Sequence, residues 1–283
     1  MRHDTASVIL VRACLRGNAG GSPTAVVLED APLTDDQRRE VPAAQGTSHA
    51  VFVRLPGDGP IDLRFFTSAG ELPACGHGTI AALAALAGGR RRFETTLRTG
   101  DRVFEGWCEP NGRSSEAAFD PGPVKHREPD AAERSLVSAA LGFEPELRVA
   151  GIGRERVLAS VPDRATLAAL TPDMDRLRDA CDRSGLLGVY VYSRPSVEGS
   201  LAARMFAPSI GVPEDIANAN STACLAAYLG TAISVDMGDS LGSPATITAT
   251  GRGGEVRAGG RSLIEAEFPL HAFPFHGKES GKP

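Results

Sequence analysis

Short apolar runs dominate the chain, and they predict a protein built mostly of strands. Many of these runs are rich in Val, Ile and Leu, and residues 61–67 alternate apolar with polar positions, which is typical of a half-buried strand. Helices are predicted over residues 33–40, with Thr34 as N-cap and Pro42 as the stop, over 131–141, and as turns between 167 and 183. The strands are predicted over residues 6–14, 24–29, 50–55, 61–67, 93–97, 102–108, 156–161, 186–192, 201–206, 246–250, 255–258 and 262–268.

Two longer runs rich in Ala and Leu stand apart from the strands. Residues 71–87 and 214–230 each read as a tight turn that feeds a helix, and a pair of glycines ends the first helix. When the two segments are aligned without gaps, Glu71 falls on Glu214 and the Ala/Leu stretches have similar lengths. One copy lies in each half of the chain, which predicts two related domains.

The starts of these two helices predict an anion-binding site. The first amides of a helix have no partner within it, and the helix dipole is positive there. Gly76 and Gly78 would let a ligand approach the backbone, and Cys75 and His77 would lie at the mouth of the first helix. Two such mouths facing each other across a cleft would bind a small carboxylate.

The amino-acid composition and net charge limit the kinds of molecule that the protein is expected to bind. The net charge of -5 gives no reason to expect nucleic acid or an anionic membrane surface, and no apolar run is long enough to span a bilayer. The five cysteines are widely spaced without a CxxC, and no signal peptide is visible. We therefore expect a cytoplasmic protein with reduced thiols that binds a small-molecule carboxylate.

A span crowded with Pro and Gly, residues 109–130, is the best domain boundary. It predicts an N-terminal domain over 1–118 and a C-terminal domain over 119–283, with the last strand or tail packed on the first domain. Each domain should be a curled mixed β-sheet around one central helix, which makes the fold class α+β. The polar tail after residue 271 should be frayed.

The chain resembles the PhzF-like proteins, the phenazine-biosynthesis isomerases of the diaminopimelate epimerase/proline racemase fold. The resemblance covers nearly the whole chain in the right order, with Ser22 where the family commonly has Asn. It implies two similar domains with the active site between them, no metal or organic cofactor, and a homodimer. The residues that carry it are Arg64-Phe-Phe-Thr67, Glu71-Leu-Pro73 with Gly76-His77, Ala203-Arg-Met-Phe-Ala-Pro208, Gly211-Val-Pro-Glu-Asp215 and Gly21-Ser-Pro-Thr-Ala-Val26.

The catalytic pattern of that family is only partly present. Its Ser-Glu-x-x-Phe turn carries the glutamate that moves the proton, whereas the matching turn here starts Ser48-His49, so His49 occupies the base position. The resemblance also assigns His77, Asp215 and Asn220 to the site.

A histidine can take up and return a proton near neutral pH, so His49 could replace the carboxylate; the alternative is a turn histidine at a degenerate site. The helix start predicts a neutral His77 that donates to a substrate oxygen, or else a structural helix cap. Asp215 could accept a proton, orient His77, or only satisfy helix amides. Substrate binding is assigned to Gly76, Gly78, Thr79, Asn218, Asn220, Ser221 and Thr222.

Three functions remain open from the sequence. The first is a cofactor-independent isomerase that moves a proton along a carboxylated diene or enamine in secondary-metabolite biosynthesis, on a phenazine-like or alkyl-proline-type precursor. The second is an amino-acid racemase or epimerase that uses Cys75, although its second thiol should lie near Asn218 and Cys224 is further along the helix. The third is a binding protein without catalysis. No metal is expected, because His49, Cys75, His77 and Asp215 show no ligand spacing on a single element.

Overall fold

The structure is a computed structural model that describes residues 7–196 and 200–270. Its first half contains β1 Ser7–Ala13, β2 Ser22–Glu29, α1 Asp35–Ala44, β3 His49–Arg54, β4 Ile61–Thr67, β5 Gly70–Leu72, α2 Gly76–Ala87, β6 Phe93–Thr99, β7 Arg102–Asn111 and β8 Ser114–Phe119. The second half contains β9 Lys125–Arg127, α3 Ala131–Leu141, β10 Leu147–Ile152, β11 Arg154–Val161, α4 Arg164–Ala169, α5 Met174–Ser184, β12 Val189–Ser193, β13 Leu201–Ala207, β14 Val212–Asp215, α6 Ala219–Leu229, β15 Ile233–Met237, β16 Ala245–Arg252 and β17 Glu255–Pro269.

The first lobe is a closed barrel around α2. Strand β1 pairs with β2, the pairing continues through β3, β4, β6, β7 and β8, and β17 joins β8 back to β1. Every residue of α2 is buried, and most are Ala, Gly or Leu. A helix that is apolar on all sides needs such an enclosure, and its small side chains let it fit inside the barrel.

The second lobe repeats the same order of pairings around α6. Strands β10, β11, β12, β13, β15 and β16 pair in the sequence of antiparallel and parallel contacts seen in β1, β2, β3, β4, β6 and β7. Strand β9, which follows β8, pairs with β10, just as the end of β17 pairs with β1. Strand β17 belongs to both lobes, because it pairs with β16 of the second lobe and with β8 and β1 of the first. The expected α+β fold of two similar domains is confirmed.

An ion pair is repeated at the same place in both lobes. Arg64 on β4 contacts Glu71 on β5 at 2.6 Å, and Arg204 on β13 contacts Glu214 on β14 at 2.8 Å. The first pair is about two-fifths exposed and the second is largely buried. The predicted match of Glu71 with Glu214 therefore holds in three dimensions, and both glutamates brace the strand that leads to a central helix.

Some local predictions are wrong. Helix α1 continues to Ala44 with the buried Pro42 inside it, so Pro42 does not stop it, and the helix runs two residues beyond the proline. Strands β10 and β15 were not predicted, because glycines and short length hide their pattern. The two predicted strands after residue 255 are one continuous strand, β17. The predicted fraying after residue 271 concerns residues outside the described ranges.

Within the described residues, no helix combines the length and the apolar character needed to cross a bilayer.

Candidate active site

The two central helices begin with the same capping geometry. Cys75 is the N-cap of α2, and its Sγ accepts from the Gly78 amide at 3.4 Å. Asn218 is the N-cap of α6, and its Oδ1 accepts from the Ser221 amide at 2.9 Å. Cys75 and Asn218 are also equivalent in the sequence alignment of the two copies, so the repeat extends to the hydrogen bonds that begin each helix.

The two helix starts touch each other. A Cβ placed on Gly76 would lie 2.8 Å from the Cβ of Ala219 and 3.0 Å from the amide nitrogen of Asn220. Glycine at position 76 therefore brings the second helix close to the first. The sequence had assigned Gly76 to contact with a ligand, and the structure gives it this packing role as well.

A cavity of about 130 Å³ opens where the helix starts meet. It approaches the size of the ~150 Å³ cavity that holds benzene in an engineered protein, so it suits a metabolite built on one ring. Seven of the predicted site residues line it: His49, Cys75, Gly76, His77, Asp215, Asn218 and Asn220.

The other four predicted binding residues, Gly78, Thr79, Ser221 and Thr222, do not line this cavity. The hydroxyls of Thr79 and Thr222 donate to carbonyls at the start of their own helices, at 2.9 and 3.0 Å. A Cβ on Gly78 would meet the ring of Phe65 at 3.0 Å. These positions shape and hold the helix starts, and the sequence pattern alone could not separate that role from ligand contact.

His49 opens β3 and is only 4% exposed. Its Nδ1 lies 2.8 Å from the Ser48 hydroxyl, which leaves Nε2 free for chemistry when Nδ1 carries the proton. Burial, and then the charge of neighbouring His77, lower the pKa of His49 well below its ordinary value of 6.5. His49 is therefore a neutral imidazole with a lone pair at neutral pH.

His77 lies in the opposite electrostatic situation. Its Nδ1–H donates to the Ala217 carbonyl at 2.8 Å, its Nε2 is 3.4 Å from Cys75 Sγ, and Asp215 Oδ1 is 3.9 Å from Nδ1. Burial opposes the charged ring, but Cys75, Asp215 and the carbonyl outweigh it and raise the pKa of His77 to about 10. The neutral His77 predicted from the helix start alone is thus wrong, because three electron-rich neighbours favour the protonated ring.

Asp215 ends β14 at the base of the second helix start. Its Oδ2 accepts from Asn218 Nδ2 at 3.0 Å, and its Oδ1 faces His77. Burial raises the pKa of Asp215, while the charge of His77 and the Asn218 hydrogen bond oppose that rise. Of the roles considered from the sequence, this geometry matches orientation of His77.

The two imidazoles form a pair with opposed protonation. Their ring centroids are 4.5 Å apart and the ring planes are nearly perpendicular. Two adjacent titratable groups whose surroundings drive their pKa values apart are the mark of an acid and a base in one site. Here the lowered pKa belongs to His49 and the raised pKa to His77.

The same region contains a set of potential metal ligands. One donor atom each from His49, Cys75 and His77 lies within 4.8 Å of the others, and all three residues are buried. Imidazole and thiolate donors would suit Zn²⁺. The spacing on single elements gave no hint of this set, because two elements of the first lobe, β3 and the start of α2, bring the donors together.

Cys75 has no partner thiol in the site. Cys224, the nearest cysteine in the second copy, is fully buried inside α6 and does not line the cavity. Burial also raises the pKa of the Cys224 thiol. All five cysteines are free and buried, which agrees with the expected reduced thiols.

Sequence reasoning missed three arginines on the cavity wall: Arg102, Arg154 and Arg156. Arg102 begins β7, and the other two lie on β11. The available signal was a charged residue at the start of an otherwise apolar strand, since Arg156 opens the predicted strand over residues 156–161 and is 2% exposed.

The sequence is similar to those of known proteins. The sequence matches the family described as "Phenazine biosynthesis-like protein" over residues 15–262. An uncharacterized isomerase of Pseudomonas aeruginosa is 32% identical over 208 residues, which are 74% of this chain and 75% of the relative. The trans-2,3-dihydro-3-hydroxyanthranilate isomerase of the same organism is 28% identical over 253 residues, 84% of this chain and 87% of the relative.

A solved structure supports the fold. A predicted epimerase from Pseudomonas aeruginosa superposes with a TM-score of 0.80 at 24% identity, over 94% of this chain and 99% of the other. The two-lobed fold, the cavity between the two helix starts and the match along most of the sequence lead to one assignment: the chain belongs to the phenazine biosynthesis-like family of PhzC and PhzF proteins and is an isomerase of that family.

Proposed function

We propose that this isomerase moves a proton along the carbon skeleton of a small unsaturated carboxylate, without an organic cofactor or a metal. The observation that carries the proposal is the pair of buried imidazoles, one held neutral and one held protonated, on the wall of a ring-sized cavity. Proton transfer needs a base that returns what it takes and donors that hold the developing negative charge.

In the proposed reaction, Nε2 of His49 takes a proton from a saturated ring carbon next to a double bond. The electron pair of that C–H bond becomes a new C=C bond, and the original double bond shifts its electrons towards the far carbon. His49 then returns the proton to that carbon, so atoms and electrons balance and the enzyme is regenerated. The hydrogen bond between His49 Nδ1 and the Ser48 hydroxyl keeps the ring oriented throughout the reaction.

His77 stabilises the charge that develops during this shift. A protonated imidazole beside the substrate can donate to an oxygen that becomes more negative in the transition state. Asp215 supports the charged ring from the other side at 3.9 Å. The amides of the two helix starts and Asn220 supply further donors for a carboxylate, because the dipoles of both helices are positive at this point.

The substrate class rests on size, charge and relatives. A cavity near 130 Å³ suits one six-membered ring, and the relative named trans-2,3-dihydro-3-hydroxyanthranilate isomerase isomerises a compound of that size. A role in secondary-metabolite biosynthesis, on a phenazine-like or alkyl-proline-type precursor, is an extension of this likeness.

A role for Cys75 is the second candidate, because its Sγ lies 3.4 Å from His77 Nε2 in the same cavity. A racemase that exchanges a proton from both faces of one carbon would need a second thiol, and position 218 holds Asn. Cys75 could still act from one side of the substrate.

Deuterium uptake distinguishes the candidates. Dihydroaromatic and cyclic enamine carboxylates are incubated in heavy water with the wild-type protein and with the variants His49→Gln, Cys75→Ser and Asp215→Asn. His126→Gln is the control, because His126 is an exposed residue outside the cavity whose ring lies against Tyr228.

We expect His49→Gln to slow deuterium uptake by about 10²–10⁴-fold, the usual contribution of a positioned base. Asp215→Asn should slow it less, and the control should match the wild type. Uptake at the wild-type rate in His49→Gln, or a loss confined to Cys75→Ser, would assign the chemistry to the thiol.

A further inference from the structure

The cavity wall contains a buried guanidinium that the proposed proton transfer does not use. Arg156 is 2% exposed, and its Nη2 donates to the Arg154 carbonyl at 2.9 Å. Its Nε and Nη1 have no hydrogen-bond partner among the residues that the structure describes. One N–H on Nε and two on Nη1 are therefore unsatisfied in a charged group that has been removed from bulk water.

Such a group is costly for the folded protein. A buried charge without a counter-charge or full hydrogen bonding is among the most unfavourable arrangements in a protein interior. Arg156 makes no ion pair within the described ranges, and the adjacent Glu155 pairs with Arg127 instead. An arginine kept in this state needs an anion from outside the chain to pair with it.

The surroundings of Arg156 add positive charge. Arg102 lines the same cavity and is half-buried, and its pKa is lowered first by burial and then by the charge of Arg156. Arg154 also lines the cavity, but its guanidinium donates hydrogen bonds to the carbonyls of Gly185 and Leu186. The lining contains three arginines and a single carboxylate, Asp215. This excess favours a ligand with more than one negative charge.

We infer that the substrate is a small dicarboxylate, with one carboxylate at the two helix starts and the second against Arg156 and Arg102. The inference rests on the proposed function only for the first carboxylate. Arg156 and Arg102 come from strands β11 and β7, whereas the first site is built from α2 and α6. The two acid groups therefore approach different walls of one ring-sized cavity, and the ring spans the space between them.

Unreactive aromatic acids test this inference without any catalysis. Calorimetry measures the Kd of benzoate, of the three benzenedicarboxylates (phthalate, isophthalate and terephthalate) and of phenyl phosphate. The wild type should bind at least one benzenedicarboxylate about tenfold or more tightly than benzoate, since a hydrogen bond to a charged group typically contributes that much. The favoured isomer gives the separation of the two acid sites.

Arg156→Met should abolish this preference and leave the Kd of benzoate within about twofold. Arg98→Met is the control, because it removes one positive charge from an exposed ion pair with Asp62; it should keep the preference. Arg156→Lys, which keeps the charge and loses the fork of donors, should retain part of it. These binding measurements involve no proton transfer, so their failure is distinct from a failure of the proposed reaction.

Stability provides a second readout that a purely structural role would not produce. Replacing an unpaired buried cation by an apolar side chain of similar length should raise the melting temperature of the ligand-free protein. A lower melting temperature for Arg156→Met would mean that the guanidinium has a structural partner and would overturn the inference. So would equal or undetectable binding of all the acids, or a preference for phenyl phosphate alone.

Discussion

Contact between the two helix starts makes Gly76→Ala an informative substitution. The added methyl would lie 2.8 Å from Ala219 Cβ, about 0.6 Å closer than the 3.4 Å at which ordinary contacts begin, and 3.0 Å from a backbone nitrogen that cannot rotate away. Overpacking of this kind costs about 1–3 kcal/mol, and the better helix propensity of alanine returns at most about 1 kcal/mol. We expect a net loss of stability of about 1–2 kcal/mol.

The effect on activity should exceed the effect on stability. Relief of the clash separates the helix starts, and a displacement approaching 1 Å in a catalytic site can cost about 10²-fold in rate. We expect deuterium uptake to slow by about tenfold or more. Urea titration of the same variant measures the change in the free energy of unfolding for comparison. Gly78→Ala is the comparison, because its methyl would meet one ring and one sulfur within the first lobe instead.

A second substitution tests the cause directly. Ala219→Gly removes the opposing methyl, so the double variant Gly76→Ala/Ala219→Gly should regain about 1 kcal/mol relative to the sum of the single changes. Recovery should be partial, because the Asn220 nitrogen remains. Wild-type stability and rate in Gly76→Ala, or strict additivity in the double variant, would show that the helix starts are not in tight contact.

Four further predictions concern the charges of the site, the repeated ion pair and the potential metal ligands. The rate of deuterium uptake should fall on the acid side only well below pH 6.5, where His49 becomes protonated, and on the alkaline side near pH 10, where His77 loses its proton. The stabilisation from the raised pKa of His77 is complete below pH 6.5 and is lost as the pH rises to about 10. The lowered pKa of His49 has a separate effect and makes the protein less stable as the pH falls below 6.5. Urea titrations across this pH range check both signs, and a stability profile that is unchanged in His77→Gln would contradict them. Glu214→Gln should cost about 3 kcal/mol because it leaves a largely buried arginine unpaired, and Glu71→Gln in the more exposed copy at most about 1 kcal/mol, so equal losses would refute the difference. Exhaustive chelation should leave the rate of deuterium uptake unchanged, with the metal content of the protein measured by mass spectrometry. A loss of rate that Zn²⁺ restores would assign His49 and His77 to a metal site.

Local patterns in the sequence were sufficient for the central helices and their positions. The Ala/Leu composition, the small residues before each helix and the gapless repeat all act over a few residues, and they placed Cys75 and Asn218 at equivalent helix starts. The position of His49 followed from the family resemblance rather than from its own neighbours. The pairing of each Glu with an Arg one strand earlier was not visible, since it depends on strand register.

The charges of the site could not be predicted in the same way. The raised pKa of His77 depends on Cys75 at its own helix start, and also on Asp215 and the carbonyl of Ala217, which are distant in the sequence. An argument from the helix dipole alone therefore gave the wrong protonation state. Arg102 and Arg156 reach the cavity from different lobes, and each looks in the sequence like an ordinary charged strand residue. Only tertiary structure shows that Arg156 is buried with its Nε and Nη1 unpaired among the residues that the structure describes.

The closure of the first barrel by strand β17, from the far end of the sequence, has a consequence for synthesis on the ribosome. The wall of the first barrel between β8 and β1 is supplied by β17, whose residues are made last among the described strands. At ordinary elongation rates of about 5–20 residues per second, the nascent N-terminal lobe waits roughly 10–30 s with two open edges. Those edges are the surfaces most exposed to mispairing, so the emerging chain depends on rapid delivery of its final strand.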